Sequence, residues 1–475
     1  MAENYWSRED DNEELDPIGS LLSDWSDPED EEDEFRSEIF QGRSGRRQKA
    51  AFSLMAIWTI IIGLHWLSWG YWAIIALTMV LSGQALRLLF TKPETPPIPL
   101  LDKDLASVPR VSLLVAAKNE ETVITKLVNY LCHLDYPQDK LEVWIVDDYS
   151  TDNTGAILDR LALEYPQLQI LHRPANAGGG KSGALNQVLS LTNGEIIGVF
   201  DADAGLSADL LRHVVPMFDD REVGAVQVRK AIANAAENFW TKGQAVEMIF
   251  DSCFQQQRIA VGGIGELRGN GQFVRRSALN RCGGWNEQTI TDDLDLTIRL
   301  HIDNWKINIL NFPAVAEEGV TTAIALWHQR NRWAEGGFQR YLDYWKAILK
   351  SPMPWPKKFD LIAFLIVQYI LPAAAIPDLL ITITQHQAPI LTPLTGLALS
   401  LSLWGMVTGL IRVNTGKKFT FALGLDILAQ TIRGMIYMMH WFIIIPSVSL
   451  RMALRPKRLK WVKTVHLGEH LSAEV

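Results

Sequence analysis

Several charged clusters in this chain fall where an apolar run has just ended or a helix is about to begin. The run Ile196, Ile197, Val199, Phe200 stops at Asp201-Ala202-Asp203. Two carboxylates one residue apart at a strand end can share a divalent cation and the phosphates it carries. Oxygen-only ligation suits magnesium, with manganese as the alternative; the plainer reading is a solvated acidic turn. Upstream, Val143–Val146 stops at Asp147-Asp148, followed by Ser150, Thr151 and Asp152. Carboxylates there can accept hydrogen bonds from a uracil imide or a ribose hydroxyl, or the segment is only a turn that caps the next helix. Thr291-Asp292-Asp293-Leu294-Asp295 sets acids in a first helical turn, where the dipole favours them. The chemical reading is a general base, because an alcohol attacks well only when a carboxylate takes its proton. Asp293 is the candidate.

Gln329, Arg332 and Trp333 stand at i, i+3 and i+4 of a helical stretch and share one face. Arg332 can neutralise a departing diphosphate, and Trp333 offers a flat wall to a ring or an acceptor. The competing reading of a helix carrying Trp327, Arg330, Arg332 and Trp333 is interfacial anchoring. Asn176–Asn186 (NAGGGKSGALN) departs from a phosphate loop, because Ala175 stands where the first glycine is needed. A glycine turn with Lys181 facing a diphosphate remains.

The elements that must position these groups follow from the apolar pattern. Val111–Ala116, Glu142–Val146, Leu168–His172 and Glu195–Phe200 read as strands. They alternate with helices over Glu121–Leu134, Asn153–Glu164 and Lys181–Leu191, which predicts a parallel α/β sheet. Ligands bind beyond the carboxyl ends of such strands, where Lys118-Asn119-Glu120, Asp147-Asp148 and Asp201/Asp203 lie.

The chain has 475 residues and is too apolar in places to be wholly soluble. From Ala50 to Leu86 there is no Asp, Glu, Lys or Arg, room for two spans of roughly 20 residues each. Trp66, Trp69, Tyr71 and Trp72 mark the turn near Leu67–Gly70 as an aromatic belt. Basic residues at both outer ends (Arg43, Arg46, Arg47, Lys49; then Arg87 and Lys92) place those ends in the cytoplasm. A proline-rich linker leads to the α/β block. Between Leu361 and Ile411 the only charge is Asp378, which makes room for two more spans split near Gln385–Pro389. Phe419–Leu450, interrupted by Asp426 and Arg433, is either a span or an interfacial helix with a re-entrant piece, so the number of C-terminal spans stays open.

Charge separates the ends from the body. Residues 1–36 hold fifteen acids against two arginines, net −13 of a total of −9, so the remainder is mildly basic. Three distant cysteines imply a reducing compartment and no disulfide framework. The predicted organisation is a disordered acidic tail (1–41), two transmembrane helices (50–90), a cytoplasmic catalytic domain (108–350), transmembrane and interfacial helices (359–450) and a basic cytoplasmic tail (451–475).

Together the motifs carry a resemblance. VDDYST at Val146–Thr151, DAD at Asp201–Asp203, TDD at Thr291–Asp293 and QRNRW at Gln329–Trp333 stand in the order and spacing of the membrane-bound family 2 glycosyltransferases, whose last motif is QxxRW. The likeness covers about residues 108–345. Asn176–Asn186 is similar to that family's lysine-bearing glycine turn, and Arg268–Leu279 (RGNGQFVRRSAL) to its segment before the acceptor site. Asp292 departs from the family's usual Glu, with the base position Asp293 intact. Within the family, the acidic head followed by GRRQKAA, the HWLSWG turn and the ending WFIIIPSVSLRMALRPKRLKWVKTVH resemble the cyanobacterial monoglucosyldiacylglycerol synthases.

The resemblance implies a GT-A-like, Rossmann-like α/β domain flanked by transmembrane helices. It also implies an inverting transfer from UDP-glucose to diacylglycerol. Asp293 would be the base, with Arg332, Trp333 and Gln329 beside it. Asp147, Asp148, Lys181, Asp201 and Glu120 would meet the donor, and magnesium would be held through Asp203 with Asp201. The partners expected are the bilayer and its anionic lipids, held by the basic tail, and no nucleic acid. Two competitors share these features: a processive polysaccharide synthase and a non-catalytic membrane scaffold. A secreted polymer needs a polar tunnel through several spans, whereas this chain offers about four or five mostly aliphatic ones. An apolar rim for a lipid acceptor is expected from the helix with Trp327 and Trp333 and from Phe239, Trp240, Met248, Ile249, Phe250 and Phe254, which alternatively form ordinary core.

Overall fold

The structure, a computed structural model, describes residues 45–455; the acidic tail and the basic tail beyond Arg455 lie outside the described residues. Two apolar helices come first, α1 (Arg46–Trp66) and α2 (Gly70–Phe90), broken at the expected turn. The α/β block then runs β1 (Val111–Ala117), α3 (Ile124–Cys132), β2 (Leu141–Asp147), α4 (Thr154–Glu164), β3 (Leu168–His172), α5 (Gly180–Leu189) and β4 (Ile196–Phe200). It continues through α6 (Leu210–Val214), β5 (Val223–Ile232), α7 (Phe239–Ala260), β6 (Gln272–Arg275), α8 (Arg276–Arg281), α9 (Asp292–Ile302) and β7 (Lys306–Glu317) to the long helix α10 (Ala323–Lys350).

The strands form one sheet in the order β3-β2-β1-β4-β6-β5-β7. Successive side chains of a strand point to opposite faces, and here both faces are apolar because helices cover both. Leu113, Val115, Val143 and Ile145 meet α3 and α4 on one face. Leu114, Val146, Ile197 and Val199 meet α5, α8 and α9 on the other. Burying each such side chain contributes roughly 1.5–3 kcal/mol.

The expectation of a parallel sheet holds for β1–β4 and for β5 with β7, and fails at β6, which is antiparallel to both neighbours. The reason is where the chain re-enters. After α7 it crosses to the carboxyl edge of β4, turns through Gly269 and Gly271 at φ +80° and +72°, and starts β6 at that edge. The turn Arg268-Gly269-Asn270-Gly271 is thereby placed beside the acids.

Beyond Lys350 follow α11 (Trp355–Leu365), continued through one wide turn into α12 (Leu371–Gln385), then α13 (Thr392–Val413), α14 (Phe421–Met438) and α15 (Trp441–Leu454). Among the described residues five helical stretches are long and apolar enough to cross a membrane, with α11–α12 and α14–α15 each counted as one. They make this a membrane-associated protein. Buried ion pairs tie the α/β block to them: Arg46 with Asp343, Arg258 with Asp360, and Arg451 with Glu335, at 2.5, 2.8 and 2.8 Å. The aromatic patch on α7 is divided: Phe239 stays exposed, whereas Ile249 and Phe250 are covered by an apolar helix. Phe250 and Ile249 lie against Gly405 and Gly409 of α13, where a Cβ would meet them at under 3 Å.

Candidate active site

The carboxyl edge of the sheet gathers most of the expected residues. Asp201 follows β4 directly, and its backbone N–H donates to Asn270 Oδ1 at 3.3 Å. Lys181, in the first turn of α5, reaches across so that Nζ lies 2.5 Å from Asp201 Oδ1. Burial works against the Lys181 ammonium, but the carboxylates of Asp201, Asp292 and Asp293 outweigh it and hold its pKa above the ordinary value.

Asp292 and Asp293 open α9. Asp293 Oδ1 accepts the Leu294 N–H at 2.8 Å. A Cβ on Gly269 would sit 3.5 Å from Asp293 Oδ2. Burial first, and the neighbouring Asp292 second, push the Asp293 carboxyl up to about 6; Leu294 N–H, Lys181 and Arg268 restrain the rise. Asp292 Oδ2 is buried with no hydrogen-bond partner. A half-buried acid raised toward neutrality, with two cations beside it, suits general-base work.

Helix α10 passes close by because Gly336 has no side chain, for a Cβ there would lie 2.1 Å from Thr291 Oγ1. That approach brings Arg332, one turn earlier, within electrostatic reach of Asp201, Asp293 and Asp292; burial nevertheless leaves its pKa below the usual value. Trp333 and Gln329 turn to other neighbours. The Arg330 guanidinium carbon lies 4.0 Å from the Trp333 ring centroid and Lys230 Nζ 4.9 Å from it. Gln329 Oε1 accepts from Arg330 Nη1 at 2.5 Å.

The acids at the end of β2 are held by Ser150 and by two residues not singled out in the sequence, His172 and Arg173. Both Asp147 oxygens are engaged within the protein, Oδ1 by Ser150 N–H at 3.0 Å and Oδ2 by His172 Nδ1 at 2.9 Å. This is the turn geometry weighed as the plainer reading. The Asp147 hydrogen bond raises the His172 pKa, against burial and with help from Asp159. Asp148 Oδ1 takes Arg173 Nη1 at 2.6 Å, and Arg173 also donates to the carbonyls of Gly178 and Gly180 at 2.5 and 3.2 Å. One guanidinium thus links Asp148 to the glycine turn. Its only sequence signal was a place just beyond β3 at the ligand-binding edge. Glu120 is buried in the loop after β1, its N–H donating to Thr154 Oγ1 at 2.8 Å. Asp203 is buried too, with Oδ2 accepting the Glu318 N–H at 3.0 Å.

Among the described residues no three acid, His or Cys side chains assemble a ready-made metal cage. Acids nonetheless outnumber cations here, and Asp292 Oδ2 is an orphaned buried oxygen. A surplus of hard oxygen donors fits a hard divalent cation that completes its shell with phosphate oxygens.

Residues 112–283 match the model of Glycosyl transferase family 2. The chain is 61 % identical over 460 residues to the β-monoglucosyldiacylglycerol synthase of Synechocystis sp., covering 96 % of each protein. It is 58 % identical over 470 residues to the synthase of that name from Nostoc sp., covering 98 % of this chain and 99 % of that one. A solved mannosyltransferase, PcManGT from Pyrobaculum calidifontis in complex with GDP-Man and Mn2+, matches at a TM-score of 0.55 and 22 % identity, over 83 % of this chain and 99 % of that one. That likeness is one of fold, and the fold is GT-A-like. The chain is a sugar-transferring enzyme and belongs to the family 2 glycosyltransferases, among the β-monoglucosyldiacylglycerol synthases.

Proposed function

We propose that this protein moves glucose from UDP-glucose to the free hydroxyl of 1,2-diacylglycerol, giving β-monoglucosyldiacylglycerol with inversion at the anomeric carbon. The observation that carries the reading is Asp293, its carboxyl raised to about 6, set beside Lys181 and Arg332. The names of the synthases to which the whole chain is similar support a lipid acceptor.

Asp293 accepts the proton of the acceptor hydroxyl as that oxygen bonds to C1 of glucose. The C1–O bond to UDP breaks from the opposite side, and its electron pair leaves on the diphosphate. Lys181 and Arg332 meet that charge, acting where it develops. Asp148 takes the nucleoside, with Asp147 shaping the turn that presents it and Glu120 in the adjoining loop. Trp333 and Gln329 line the acceptor side. Asp203 and Asp201 are the residues to hold a divalent cation, magnesium before manganese, and when bound it offsets negative charge on the departing UDP.

The topology proposed is multi-pass, with the catalytic domain on the cytoplasmic side. Arg46, Arg47, Lys49, Arg87 and Lys92 support it by the positive-inside tendency. The basic tail adds attraction to anionic lipid. The test is product analysis: purified protein, each labelled UDP-sugar in turn, and diacylglycerol. One organic-soluble lipid carrying a single hexose, made from UDP-glucose, is the expected result. Glucan made without added diacylglycerol would overturn the reading in favour of a processive synthase.

A further inference from the structure

Arg330 sits inside the Gln329–Trp333 motif yet faces away from the acids, and it is fully buried. Its Nη2 donates to Glu247 Oε2 and, at 3.0 Å, to Tyr437 Oη. Tyr437 Oη in turn donates to Glu247 Oε2 at 2.9 Å, and Trp441 Nε1 donates to Glu247 Oε1 at 3.0 Å. One carboxylate from α7 thus joins α10 to α14 and α15, with Arg330, Glu247 and Tyr437 buried and Trp441 half-buried. The same guanidinium lies over the Trp333 ring, at 4.0 Å from its centroid. Lys230, the ring's second cationic neighbour, is held by Glu317 at 3.0 Å.

A buried arginine–carboxylate pair is a poor way to stabilise helix packing, because desolvation cancels most of the attraction. What it does supply is direction: a planar guanidinium with its nitrogens fixed can lie in only one plane. We propose that Arg330 is a positioning residue for the acceptor. Glu247, Tyr437 and Trp441 hold its guanidinium against Trp333, so the apolar hairpin α14–α15 sets the ring that lines the acceptor side. This rests on the reading of diacylglycerol as the acceptor. It adds that acceptor use, and not donor use, depends on a contact between the apolar helices and the catalytic motif.

The experiment uses full-length protein in mixed micelles, varying diacylglycerol at saturating UDP-glucose and then the reverse. Tyr437→Phe removes one hydroxyl and keeps the ring; Arg330→Lys keeps the charge and loses the planar fork. Each is expected to raise KM for diacylglycerol about 3–10-fold, the size of one lost hydrogen bond, with KM for UDP-glucose unchanged. In a Trp333→Phe background Tyr437→Phe is expected to add less than it does alone, because the two act through one ring. An unchanged KM for diacylglycerol, an equal rise for both substrates, or full additivity with Trp333→Phe would each overturn the proposal. Failure of the unmodified protein to glucosylate diacylglycerol would overturn the functional reading instead, whatever the variants do.

Discussion

Lys181 Nζ rests 2.5 Å from Asp201 Oδ1, so the glycine turn lends its ammonium to the first acid of Asp-Ala-Asp. The same ammonium lowers the Asp293 carboxyl. Lys181→Gln should therefore do two things at once. It should raise KM for UDP-glucose about 10–100-fold, as loss of a charge-assisted contact to phosphate does. It should also move the acidic limb of kcat/KM to higher pH. Initial rates across a pH series check both, and a limb that stays in place would separate Lys181 from the base.

Asp293→Asn should cut kcat about 10²–10⁴-fold, the usual cost of losing a general base, with UDP binding by calorimetry near that of the unmodified protein. In the latter, kcat/KM should fall as pH drops through about 6. The sign follows from the direction of the shift: a raised carboxyl is ionised, and able to accept a proton, only above its own pKa. Near-normal turnover by the Asn variant would assign the base elsewhere.

Asp292 is the second cause of that raised value, after burial. With Asp292→Asn the repelling charge is gone, so the acidic limb should move toward lower pH while a base remains. If the limb does not shift, burial alone sets the Asp293 carboxyl.

Asp203→Ala should make UDP-glucose binding insensitive to added magnesium, since Asp203 is the acid assigned the cation. Titration calorimetry with and without the metal measures this directly. Metal-dependent binding at normal affinity in the variant would shift that role to other acids.

Apolar runs made β1, β2 and β4 legible, because five to seven mostly buried residues ending at a polar cluster mean little else in an α/β chain, whereas β3, with only Leu168 buried, was legible from its place in the alternation. The acids at those ends were legible for the same reason. The direction of β6 was not, since four residues carry no sign of the edge from which the chain enters. Arg173 and Arg330 were missed as organisers because an arginine beside a motif reads as solvated charge until its partners are known. For Arg330 those partners are 83 and 107 residues away. Ile249 and Phe250 showed an apolar face without showing what covers it, because the answer lies in the absent side chains of Gly405 and Gly409.

That last contact bears on how the protein is made. Helix α7 ends at Ala260, whereas its cover, α13 and α14, begins at Thr392 and Phe421. During synthesis the sheet can be completed at β7 while one flank of α7 still waits for helices that the ribosome has yet to deliver. The soluble-looking block is therefore unfinished business until the membrane machinery has received the C-terminal helices. A chain limited to residues 92–350, freed of α1 and α2 whose apolar surfaces would aggregate by themselves, should emerge with Ile249 and Phe250 uncovered and with Glu247 keeping Arg330 but losing Tyr437 and Trp441, and it should aggregate or bind detergent. Size-exclusion chromatography without detergent checks this, and a monodisperse, active truncation would show that α7 needs no such partner.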